Sequence, residues 1–160
     1  MDHRDGLELA ERVAGTDLAT VDASTLIGMV DSAPRKQLEA AFADETLRRR
    51  LLDEIFRRMT THVRTEKVRD MHAVVRWRLT GGSGEGGYDR YECTLADGAC
   101  TVSRERSPQP RVTITVSPVD FVRLICRQTT PAELYVTGKI QVKGDLGFAA
   151  GLIGYFDLPR

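Results

Sequence analysis

Apolar positions recur at helical spacing through the first part of the chain, and after residue 70 their period shortens from 3.6 to 2. Residues 1–20 are polar and contain Gly6 and Gly15, with a weak pattern in Leu7, Leu9 and Val13, so a flexible N-terminus is expected. A first short helix is predicted through Leu26, Ile27 and Val30. A second follows Pro34 and carries Leu38, Ala41 and Phe42. A third opens at an Asp44 cap and sets Leu47, Leu51, Leu52, Ile55, Phe56 and Met59 along one face. Arg48, Arg49, Arg57 and Arg58 lie on the same helix and read as its solvated side.

Ala73, Val75, Trp77 and Leu79 alternate with His72, Arg76 and Arg78, which predicts a strand with one buried face. The run from Gly81 to Gly87 lacks the Gly-Lys-Ser/Thr ending of a phosphate loop and is followed by a strand, so it reads as a loose hairpin connection. Tyr91, Cys93 and Leu95 form the dry face of a second strand. Asp97-Gly98 is a two-residue hairpin turn that returns the chain through Cys100 and Val102. After Pro108 and Pro110, Val112, Ile114 and Val116 make a fourth strand. Ser117, Pro118 and Asp120 then open a helix bearing Phe121, Leu124 and Ile125. Thr130, Pro131 and Glu133 repeat that cap logic for a helix ending at Gly138, and Ile140 and Val142 alternate with Lys139, Gln141 and Lys143 in a fifth strand. Five strands, each apolar on one face, imply an α+β fold with helices over one side of the sheet and water on the other.

The last predicted helix follows an Asp145 cap and has almost no polar face, so it is expected to be buried. Gly147, Gly151 and Gly154 recur along it at i, i+4 and i+7, among Leu146, Phe148, Leu152, Ile153 and Phe156. Each interior glycine costs roughly 1 kcal/mol relative to alanine. The stripe therefore implies either close approach of another backbone or space reserved for a ligand.

The run from Val112 to Phe121, followed by Thr137-Gly-Lys-Ile-Gln-Val-Lys-Gly-Asp-Leu-Gly, resembles the sterol carrier protein 2 (SCP-2) sterol-binding domain. The resemblance covers about residues 65 to 157. It implies a five-stranded SCP-2-like sheet whose helices enclose an apolar tunnel for a fatty acid, acyl-CoA, sterol or similar lipid. The division that follows is a flexible N-terminus at 1–20, a helical extension at 21–62 outside the usual domain, and the lipid-binding domain at 63–160. Val75, Trp77, Ile114, Ile140 and Val142 would line such a tunnel from the sheet. Phe121, Leu124, Ile125, Leu134 and Tyr135 would line it from the middle helices, and Gly147, Phe148, Gly151, Leu152 and Tyr155 from the last one.

Composition adds mostly exclusions. The formal net charge is zero, so no strong field points to nucleic acid or an anionic surface. Arginine outnumbers lysine nineteen to four and asparagine is absent, which reads as coding bias rather than a phosphate-binding surface. Cys93, Cys100 and Cys126 show no paired metal spacing and read as small core side chains, with Cys93 and Cys100 diagonal across a hairpin. His62 and Glu66 are one helical turn apart, but further ligands do not cluster with them, so no metal or other cofactor is expected. Ser83 misses the nucleophile-elbow pattern by one glycine. A binding protein without catalysis is the first reading. The alternative is a pathway enzyme, a cyclase or isomerase folding a polyketide or terpenoid in the same tunnel, with Tyr135, Asp120 or Tyr155 as acid or base. No stretch is long enough to span a bilayer, no signal segment opens the chain, and the last four residues are not a Ser-Lys-Leu address, so a cytoplasmic protein without stable membrane insertion is expected. The N-terminal helices must bury their stripes, against the tunnel mouth or in a homodimer.

Overall fold

A computed structural model describes residues 33–156, together with 15, 17, 20, 25, 28 and 29. The helix expected through Leu26, Ile27 and Val30 lies outside the described residues, as does nearly all of 1–20. Helix α1 spans Arg35–Ala43, α2 Glu45–Thr61 and the short α3 Thr65–Val68. Strand β1 is His72–Thr80, β2 Tyr88–Ala96, β3 Ala99–Ser103 and β4 Val112–Val116. Helices α4 at Pro118–Ile125 and α5 at Pro131–Val136 follow, then β5 at Ile140–Gly144 and α6 at Leu146–Gly151.

The strands lie in the order β3-β2-β1-β4-β5. β1 and β4 run parallel at the centre, and the other pairs are antiparallel. The turns follow from local chemistry. Asp97 and Gly98 both take positive φ, 53° and 81°, as a two-residue primed turn requires. The glycine run is tighter than the loose connection expected of it: Gly82 N donates to Gly87 O at 2.9 Å and Gly84 N to Tyr88 O at 3.1 Å. A Cβ on Gly82 would sit 2.2 Å from Asp89 N, so only glycine fits there.

The caps stand where the sequence places them. Asp44 Oδ1 accepts from Leu47 N at 3.1 Å, Ser117 Oγ from Asp120 N at 3.1 Å, Thr130 Oγ1 from Glu133 N at 3.1 Å and Asp145 Oδ1 from Phe148 N at 2.9 Å. That bond from Phe148, and then Arg111, hold the Asp145 carboxyl below its ordinary range.

Ala73, Val75, Trp77 and Leu79 turn to one face, and α2, α4 and α6 cover it in turn from the β3 side to the β5 edge. Phe56 of α2 stacks on Tyr91 at 4.1 Å and on Phe121 at 4.9 Å, and meets Trp77 edge-on at 6.3 Å. Helix α2 is therefore part of the core that the sheet and α4 build. The chain end is tied back to the start of the sheet domain: Phe156 is buried and bridges Val63, and Arg64 N donates to Tyr155 O at 2.7 Å.

Two polar features differ from the expected layout. Arg48 is not on a solvated face; it shares the buried side of α2 with Leu51 and Leu52, and its Nε donates to Asp89 Oδ2 at 2.7 Å. The outer face of the sheet is not open throughout. Glu92 is buried there, accepting from Arg76 Nε at 2.7 Å and from Ser107 N at 2.9 Å, because the connection after β3 crosses over it.

Candidate functional site

The site is built where α5 and α6 lie against β4 and β5. Pro131, set at the first turn of α5 by the Thr130 cap, faces Ala149 and Val142 across a cleft of about 220 Å³. Ala132, Tyr135, Leu146 and Ala150 complete its lining. Three large apolar side chains stay exposed among the described residues, Tyr135 at 53%, Val136 at 83% and Leu146 at 51%. Two of the three, Tyr135 and Leu146, rim this cleft.

Beneath the cleft a neck of about 10 Å³ passes between Trp77, Ile114 and Ile140 of the sheet and Leu124, Leu152 and Ile153 of the helices. The neck shares Pro131, Val142 and Ala149 with the cleft above it. It shares Leu124, Pro131 and Ile153 with a third cavity of about 340 Å³, whose other walls are Arg127, Thr129, Thr130 and Gly154. The three spaces are thus neighbours in a row, the first lined by apolar side chains, the last including polar ones, and the middle one very small.

Of the residues expected to line a tunnel, Trp77, Ile114, Leu124, Tyr135, Ile140, Val142 and Leu152 meet these cavities. Val75, Phe121, Ile125, Leu134 and Phe148 are buried in the core around them. Tyr155 packs on Phe148 with ring centroids 5.6 Å apart. Pro131, Ala149, Ile153 and Arg127 line these cavities without having been expected to. Ala149 is the one with a sequence signal, a small residue on the same face as Leu152 and Phe156.

Of the glycine stripe, Gly154 borders the 340 Å³ cavity, whereas Gly147 and Gly151 fit neither use expected of them. Gly147, Gly151 and Gly154 are exposed, and a Cβ on Gly151 or Gly154 would meet nothing within 4 Å. The last helix is also only half buried, on Phe148, Ala149 and Leu152, and it tightens to a 3-10 turn over Leu152–Tyr155. Nothing among the described residues requires glycine at Gly147 or Gly151. Gly151 has φ −94° and ψ 0°, which alanine adopts freely. Gly151→Ala should stabilise the protein by about 0.4–1 kcal/mol, raising Tm by roughly 1–4 °C, and leave ligand uptake unchanged. A fall in Tm on a melting curve would show that the stripe is packed after all.

The three candidate acid or base groups do not meet. Asp120 is buried between Ser117 Oγ at 3.0 Å and Arg35 Nη1 at 3.4 Å. Tyr135 lies in the outer cleft, and none of the cavities described holds more than one of the three. A separate cavity of about 310 Å³ between α2 and β3 contains Asp53, Tyr91 and Arg104. Its polar groups satisfy one another: Tyr91 Oη donates to Asp53 Oδ1 at 2.6 Å and Arg104 Nη2 to the same oxygen at 2.7 Å. Burial, then the bond to Asp53, push the Tyr91 hydroxyl well up, away from acid-base use near neutrality.

His62 caps α2, its Nδ1 donating to Arg58 O at 2.8 Å. Among the described residues no three His, Cys, Asp or Glu side chains are placed to hold a metal ion. Cys93 and Cys100 are both buried, diagonal in the β2–β3 register. The bond that Cys93 donates to Cys100, and then burial, push the Cys93 thiol upward, which makes it a poor nucleophile.

Known structures share this architecture. The apo form of sterol carrier protein 2 from Yarrowia lipolytica is 20% identical, with a TM-score of 0.50, over 66% of this chain and 86% of that one. A UbiJ-SCP2 ubiquinone synthesis protein is 15% identical, with a TM-score of 0.52, over 64% of this chain and 85% of that one. The inverting sec-alkylsulfatase Pisa1 from Pseudomonas sp. is 16% identical with a TM-score of 0.60; the match takes in 98% of this chain but 32% of that enzyme. At these identities the likeness is one of fold. In the last case it extends over α1 and the start of α2, ahead of the region shared with the family. No curated protein matches the chain by sequence. The family model of the SCP-2 sterol transfer family matches residues 52–157, from the middle of α2 to the end of the last turn. With five strands in the matching order of elements and a helix-covered apolar cleft, the chain belongs to the SCP-2 sterol transfer family.

Proposed function

We propose that this protein binds and carries a long-chain hydrophobic ligand between α5, α6 and the sheet, without catalysis. The observation that carries this reading is the apolar cleft walled by Pro131, Ala132, Tyr135, Val142 and Leu146, which leads into the neck at Trp77. Membership of a sterol transfer family supports it. The energetics are adequate. Each buried methylene contributes about 0.8 kcal/mol, so ten of them supply roughly 8 kcal/mol. That is the scale of a micromolar dissociation constant, before the cost of ordering the chain.

The neck is too narrow for an acyl chain as it stands, so α6 and its following turn must shift outward to admit one. Among the described residues nothing lies within 4 Å of where a side chain would start at Gly151 or Gly154, so their outer side offers little resistance to that movement. Delipidated protein should take up one equivalent of a fluorescent fatty acid or acyl-CoA at micromolar concentration, seen by native mass spectrometry and by titration. Absence of uptake of either probe would contradict the reading.

A further inference from the structure

The geometry points to a head-group site at Arg127, so that the ligand is a single-chain lipid carrying one carboxylate, seated with its head in the 340 Å³ cavity and its tail through the neck. This rests on the lipid-binding reading above and adds a polarity and a charge to it. The three spaces differ in character in the required order. The outer cleft is walled by apolar side chains alone, apart from the Tyr135 hydroxyl, whereas the inner cavity brings Arg127, Thr129 and Thr130 beside Leu124 and Ile153.

Arg127 is the charged side chain of that cavity, and its guanidinium is almost uncommitted. Nη2 donates to Phe156 O at 3.3 Å. Nε is buried without a partner, and Arg127 has no ion pair among the described residues. A planar fork with free donors is the group that recognises a carboxylate. The neighbouring hydroxyls are suited to assist. Thr130 Oγ1 accepts from Glu133 N at 3.1 Å, which leaves its proton free to donate, while Thr129 Oγ1 donates to Glu133 at 3.0 Å. One cation and one free hydroxyl fit a monoanion.

The backbone supplies an independent observation. Arg127 has φ +61° at the end of α4, with Arg127 N bonded to Leu124 O at 3.2 Å and Gln128 N to Arg123 O at 2.8 Å. Those two bonds define the left-handed helix stop at which glycine is the favoured residue. An arginine held there works against local preference, as side chains retained for a ligand do.

Hexadecanoate and hexadecanol share a chain and differ in the head, so their affinities for the intact protein and for Arg127→Gly and Arg127→Lys separate the contributions. The wild-type protein should favour hexadecanoate about ten- to a hundredfold, the worth of a charge-assisted hydrogen bond expressed as affinity. Arg127→Gly should abolish that preference by weakening hexadecanoate far more than hexadecanol, and should melt no lower than wild type, since glycine suits the turn. Arg127→Lys should retain part of it. Equal wild-type affinity for acid and alcohol, or a preference surviving in Arg127→Gly, overturns the head-group site while lipid binding stands. Failure to bind either compound overturns both.

Discussion

Phe56→Ala should destabilise the protein by about 3–5 kcal/mol, the cost of removing a buried aromatic side chain. Phe56 is the side chain through which α2 reaches across the domain: it lies between Tyr91 of β2 and Phe121 of α4, with centroids at 4.1 and 4.9 Å, and also touches Trp77. Alanine would leave a void among rings that belong to three different elements, and a dense core relaxes only partly around such a void. For a chain of this length the loss corresponds to a fall in Tm of roughly 6–20 °C. It also compares with a total stability of about 5–15 kcal/mol, so a truncation removing residues 1–60 should fail to fold cooperatively. A Tm within about 3 °C of wild type for Phe56→Ala would mean that α2 is a detachable appendage. Thermal melts followed by near-ultraviolet circular dichroism distinguish the two.

Asp89→Ala should cost a comparable amount for a different reason. Arg48 and Asp89 have side chains only 6% exposed and meet at 2.7 Å. Arg48 Nη1 also reaches Phe42 O at 3.3 Å, and Ser83 N reaches Asp89 Oδ1 at 3.4 Å, so the pair ties α1, α2 and the glycine-rich turn together. Removing one partner strands a buried charge, at about 3–5 kcal/mol, whereas replacing both with apolar residues of similar volume is often neutral or stabilising. The double variant Arg48→Met with Asp89→Leu should therefore melt well above Asp89→Ala, near or above wild type. Equal losses in the single and double variants would show that the pair contributes through its other hydrogen bonds and not through its charge.

Much of the fold was legible because it rests on short-range signals. The alternation of Ala73, Val75, Trp77 and Leu79, the Asp97-Gly98 turn and the four side-chain caps each settle a local conformation that packing then keeps. Arg48 was misread although its spacing was informative. It precedes Leu51 by three residues and Leu52 by four, on the buried stripe of α2, but its charge suggested solvent, and the partner that makes burial tolerable lies forty-one residues away. The cover over Glu92 was hidden for a similar reason, since the segment around Ser107 has no periodic pattern of its own.

The site was less legible than the fold. Seven of the fifteen expected lining residues meet the cavities, because alternation tells which face of a strand is dry and not where two packed layers leave a gap. Gaps arise where small or rigid residues oppose one another, here Ala149 and Pro131, and neither is conspicuous in an apolar pattern. The glycine stripe drew attention to the correct helix, but only Gly154 of the three borders a cavity. Arg127 carried a readable anomaly, an arginine where a helix ending at Ile125 should be followed by glycine.

The central claim is that an acyl chain enters between the helices and the sheet, and the protein contains its own reporter, since Trp77 is the sole tryptophan and lines the neck. Titrating delipidated protein with a fatty acid brominated near the middle of its chain should quench Trp77 fluorescence in a saturable manner, with one equivalent bound. The unbrominated acid should bind equally well without quenching. Stoichiometric binding of the brominated acid with no loss of Trp77 emission would place the ligand elsewhere on the molecule and contradict the account.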